Sequence, residues 1–105
     1  MSFEEFREAI NRDAAQPAGL SRPLEALWHD ARGDWNRAHD CAQRAPGRNG
    51  ARVHAYLHRR EGDAANAGYW YARAGRPPAS SGFAAEWEAI ARELLGRGAT
   101  TDSCG

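Results

Sequence analysis

RPLEALWHDARGDWNRAHDCAQRAPG, residues 22–47, decides the fold once it is laid over ARVHAYLHRREGDAANAGYWYARAGR, residues 51–76. At a shift of 29 residues the two stretches agree at Ala26/Ala55, His29/His58, Gly33/Gly62, Asp34/Asp63, Ala38/Ala67, Arg44/Arg73 and Ala45/Ala74, seven identities in 26 positions. Leu24/Val53, Leu27/Tyr56 and Trp28/Leu57 are similar pairs, and every match keeps its place relative to the Gly-Asp dipeptide. Leu24, Leu27, Trp28 and Ala31 recur at i, i+3, i+4 and i+7, the spacing of one helix face. Glycine breaks that helix, and the aspartate after it can accept hydrogen bonds from the first free N–H groups of a second. The unit is therefore helix, Gly-Asp turn, helix, used twice. Such a hairpin has too little apolar surface to bury both faces alone, so the copies share a core and need covering at the ends.

Outward from the repeat, the helical period continues and alternating strand patterns are absent. Ser2 and Glu5 are spaced as a capping box, and Phe3, Phe6 and Ile10 share the face behind it. Gln16–Gly19 ends this first helix, and Ser21 with Pro23 opens the next. Pro46–Gly50 reads as a loop, and Gly75–Gly82 as a linker. Phe83, Trp87, Ile90 and Leu94 form the apolar face of a last helix. The expectation is an all-α fold of about six helices: one domain over residues 1–97, two helical hairpins flanked by capping helices, and a flexible tail over 98–105.

Gly33-Asp-Trp-Asn-Arg-Ala38 followed by Ala45-Pro46, and Gly62-Asp-Ala-Ala-Asn-Ala67 followed by Tyr71, Ala74 and Pro77, resemble the second half of a tetratricopeptide repeat. Sel1-like repeats are a related comparison. The resemblance covers about half of the chain and implies close helix packing at Ala26, Ala38, Ala55 and Ala67. The period of 29 is shorter than the family's roughly 34, and the Trp and Leu-Gly of the family's first helix are missing. The strings around Trp28–Trp35 and Val53–Asp63 also resemble those of small bacterial all-helical proteins, a likeness that implies no activity.

Of the 105 residues, 14 are basic and 14 acidic, and every basic one is arginine. Alanine and arginine in place of lysine read as a bias toward GC-rich coding. The zero net charge hides segregation: residues 1–43 carry −3, 44–76 carry +5 and 77–105 carry −2. The balance argues against bulk attraction to nucleic acid. Arg44, Arg48, Arg52, Arg59 and Arg60 leave a local basic surface open, although pairing with the acidic flanks needs no partner at all. No apolar run approaches the roughly 20 residues that span a bilayer. The acidic start lacks the basic and apolar regions of a signal peptide, so a cytoplasmic location is expected. Cys41 and Cys104 form neither a disulfide framework nor a zinc-ligand spacing.

Two groups of side chains can carry chemistry. Glu25/His29 and His54/His58 are i, i+4 pairs at equivalent repeat positions, so each pair stacks on one helix face. Histidines so spaced can hold a metal. They can equally hydrogen-bond between helices at the core edge, the reading preferred here, with no metal or other cofactor expected. Tyr69, Trp70 and Tyr71 cannot share a helix face, because neighbours point about 100° apart. With Arg73 beside them they form a candidate recognition surface. Two of the three can instead pack inward while the third covers the linker.

The leading expectation is a protein–protein interaction or scaffold module, with an unidentified protein or peptide partner and scope for a homodimer. The alternative is a metal- or small-molecule-binding protein, or a hydrolase, using His29, His54 and His58. Binding of nucleic acid or phosphate by the arginines of 44–76 stands third.

Overall fold

A computed structural model describes residues 1–12 and 14–100, with side chains to Gly96. Six helices follow one another: α1 (Phe3–Asn11), α2 (Arg22–Ala31), α3 (Trp35–Arg44), α4 (Gly47–Glu61), α5 (Ala64–Ala74) and α6 (Phe83–Thr100). No strand occurs among the described residues, and none of these helices is long and apolar enough to cross a membrane.

The repeat is visible bond for bond. Gly33 and Gly62 take positive φ of 82° and 90°, which glycine adopts without the clash a Cβ would bring. Asp34 N–H donates to the His29 carbonyl, and Asp63 N–H to the His58 carbonyl, both at 2.9 Å. Each aspartate then caps the following helix, Asp34 accepting from Arg37 N–H and Asp63 from Asn66 N–H. Two helical hairpins result, α2–α3 and α4–α5, and α3 packs on α4 to join them. Ala26, Ala38 and Ala55 are fully buried and Ala67 nearly so; at these positions a methyl group lets the backbones approach.

Three boundaries and one arrangement differ from the sequence reading. Helix α1 ends at Asn11, well before Gln16–Gly19, where Arg12 N–H bonds Glu8 O and Ala14 N–H bonds Ala9 O. The stretch 47–50 is not a loop but the first turn of α4, with Pro46 in the N-cap position. The cause is tertiary. A Cβ on Gly50 would lie 2.7–2.8 Å from the Ala45 carbonyl carbon and Cβ, and closer still to its oxygen, so only glycine lets α4 begin this tightly against the end of α3. Helix α6 continues through Gly96 and Gly98 to Thr100, and residues 101–105 of the expected tail, with Cys104, lie outside the described residues. Finally, α1 and α6 do not sit at opposite ends of the stack. They pack on each other, with Phe6 and Trp87 stacked at 5.9 Å and Phe3 edge-on to Trp87 at 5.9 Å. Both cover the α2–α4 side, where Trp87 Nε1–H donates to the Leu27 carbonyl and Phe6 meets Trp28.

The basic middle is laced to its acidic flanks. Arg60 pairs with Asp30, Arg44 with Asp40, Arg59 with Glu86, and both Arg52 and Arg76 with Glu93. Asp30 and Glu86 are buried, and each accepts a second bond from a buried tyrosine, Asp30 from Tyr56 and Glu86 from Tyr71. Burial pushes the Asp30 carboxyl above its ordinary range, against the opposing pull of Arg60.

Candidate functional site

Three of the chain's four histidines meet where α3 crosses α4. His54 and His58 lie one turn apart on α4, with rings stacked at 5.0 Å and 17°. His39, one turn after Trp35 on α3, stands edge-on to both, at 4.6 Å from His54 and 5.2 Å from His58. One ring nitrogen of each of the three lies within 4.8 Å of the others. His39 Nε2 and His54 Nε2 are 2.9 Å apart and share a proton-bearing contact, one donating and the other accepting.

Tryptophans close the cluster on two sides. Trp70 of α5 stacks on His54 at 4.0 Å, and Trp35 stacks on His39 at 4.7 Å while meeting His58 edge-on. The Trp35 ring is itself fixed, because its Nε1–H donates to the Leu57 carbonyl at 3.1 Å. Glu61 Oε1 lies 3.2 Å from His58 Nδ1. A carboxylate on one ring nitrogen sets the orientation of the ring and leaves the other nitrogen as the available electron pair.

Burial favours the neutral form of two of these rings, His39 and His54. Burial lowers the His54 pKa to about 4, helped by the neighbouring His39 and His58. Burial also lowers His39, with His58 acting in the same direction. Both rings are therefore uncharged at neutral pH, the form in which imidazole binds a metal. His54 is buried and His39 and His58 are half-buried, so the cluster is reachable from the surface through those two rings.

Beside the cluster opens a cavity of about 660 Å³ between the end of α3, the first turn of α4 and α5. His54 and Trp70 form the wall that it shares with the histidines, and Arg48 and Arg73 stand on its other sides.

The structure sorts the residues singled out from the sequence. It brings His54, His58 and Trp70 together and places Arg73 close by, over the Trp70 ring at 5.4 Å. It does not bring in Glu25 and His29. Glu25 is half-buried, accepts from Gln16 and pairs with Arg22, and His29, half-buried on α2, is not part of the histidine cluster. The alternative reading grouped His29 with His54 and His58; in the structure His39 is the third ring beside those two. The reason is topological, since α4 has α3 packed across its histidine face. Tyr71 is buried, with its hydroxyl on Glu86 at 2.5 Å. Tyr69 alone of the three aromatics is largely exposed, at 54%.

His39 and Trp35 escaped the sequence reading because the repeat aligns His39 with Gly68 and Trp35 with Ala64. The signal available was a second i, i+4 pair, Trp35/His39, on the helix that precedes His54/His58. No family model matches this chain, and neither a curated protein nor a solved structure matches it significantly.

Proposed function

We propose that this protein binds a divalent transition-metal ion, zinc in the first instance, through His39, His54 and His58. The observation that carries the reading is the convergence of three imidazoles from two helices, with one nitrogen of each within 4.8 Å of the others. Three protein ligands with a fourth position open to water is a recurrent arrangement of zinc, and imidazole suits zinc, copper and nickel. A tetrahedral ion with nitrogens at about 2.0–2.1 Å places them about 3.4 Å apart. The 2.9 Å edge between His39 and His54 would widen slightly, and the longer edges would close by small rotations of half-buried rings. Glu61 supplies the outer carboxylate that commonly holds a ligating histidine.

Titration of the metal-free chain with cobalt(II), read by the visible d–d bands of tetrahedral cobalt and by displacement with zinc, tests this. One ion per chain is expected. His29→Ala should bind like the unaltered chain, and His39→Ala or His58→Ala should lose at least about tenfold in affinity. A folded chain that takes up no metal, or equal binding by His29→Ala and His58→Ala, would overturn the reading.

The interaction-module reading retains one observation: Tyr69 is exposed, with the Arg73 guanidinium 5.7 Å from its ring centre and bonded to its hydroxyl. A partner released by Tyr69→Ala but kept by His58→Ala would support it, and a partner indifferent to Tyr69 would retire it.

A further inference from the structure

Seven arginines lie between residues 44 and 76, and five of them pair with carboxylates. Among the described residues, Arg48 and Arg73 are the two of this group that do not, and both line the same cavity. The segregated charge of the sequence is therefore largely neutralised within the fold, and what survives is concentrated at one place. No acidic side chain lines that cavity among the described residues. Arg48 reaches across from α4 to the end of α5, where a Cβ on Gly75 would meet its guanidinium at 3.4 Å. Arg73 is held over the Trp70 and Tyr69 rings and donates to the Tyr69 hydroxyl at 3.3 Å.

We infer that this cavity binds a small organic phosphate monoester, with Arg48 and Arg73 as its two anion anchors. A guanidinium presents a planar fork of N–H donors matched to phosphate oxygens. Two of them around an acid-free hollow suit a doubly charged group better than a single carboxylate. The volume, about 660 Å³, is that of a small-molecule site. The methyl of Ala45, the ring of Pro46 and the Trp70 indole give the organic part of the ligand an apolar wall. The first turn of α4, which has no side-chain cap, adds the positive end of a helix to the same field. The inference goes beyond metal binding and does not depend on it, since neither arginine touches the histidine nitrogens.

The test uses the whole chain with chelator present, so that failure of the metal reading leaves it unaffected. Phenyl phosphate is the probe, inorganic phosphate and benzoate are the comparison anions, and phenol is the uncharged control. Calorimetry gives the affinity, and amide and indole NMR shifts at Gly47, Gly50 and Trp70 give the location. The expected result is saturable binding of phenyl phosphate, weakened by salt, stronger than that of benzoate and absent for phenol. Arg48→Gln and Arg73→Gln should each lower the affinity at least about tenfold. Arg37→Gln, on the exposed face of α3, should leave it unchanged. No saturable binding, benzoate bound as well as phenyl phosphate, phenol bound equally, or affinity that survives both arginine substitutions in folded protein would overturn the inference.

Discussion

At the scale of the residue, the structure assigns unusual conditions to a few side chains, and each makes a measurable difference. His54 has a pKa near 4, against 6.5 for a free imidazole. As pH falls from 6.5 to 4 the unfolded chain takes up this proton while the folded chain does not, so acid destabilises the fold through that window. Urea denaturation of metal-free protein should show a loss on the order of 2 kcal/mol between those two pH values, and His54→Gln should flatten the slope. Gly50 is fixed by a different force. A methyl group there collides with the Ala45 backbone, which cannot swing aside as a flexible side chain would. Gly50→Ala should cost about 2–3 kcal/mol, read from the denaturation midpoint. This residue also marks where sequence reasoning stops. Pro46, Gly47 and Gly50 have the composition of a loop, yet Gly47 and Gly50 belong to the first turn of α4, fitted against the end of α3.

Elements were more legible than residues. The helix pairs, their Gly-Asp turns and the capping aspartates are written in period and spacing, because local hydrogen bonds over five residues decide them. Asp34→Ala and Asp63→Ala should each cost about 1 kcal/mol in thermal unfolding, and by similar amounts, since the two caps have nearly the same geometry, with φ −106° and −98° and ψ 79° in both. Two of the three clustered histidines were legible for the same reason: His54 and His58 share a face of one helix. The third, His39, depended on which helix crosses that face, a matter of packing that periodicity does not encode. The repeat even pointed away from it, by making His29 the apparent counterpart of His58.

At the scale of the whole molecule, charge organises the assembly. The acidic flanks grip the basic middle at Asp30, Glu86 and Glu93, so α2 and α6 are tied electrostatically to α4, and α6 also to α5. Buried and exposed pairs should answer differently to loss of a partner. Glu86→Ala removes the carboxylate that both Arg59 and the Tyr71 hydroxyl bond and should cost about 3 kcal/mol. Asp40→Asn breaks the exposed pair with Arg44 and should change stability by less than about 0.5 kcal/mol; equilibrium unfolding in urea measures both. The duplicated turn has one more consequence, an experimental one. Because His29 and His58 lie in the last turns of equivalent helices and give their carbonyls to equivalent aspartates at the same 2.9 Å, the chain contains two imidazoles in matched backbone settings, only one of them inside the cluster. Every spectrum of this protein therefore includes its own reference ring, recorded in the same tube and under the same conditions as the ring it calibrates.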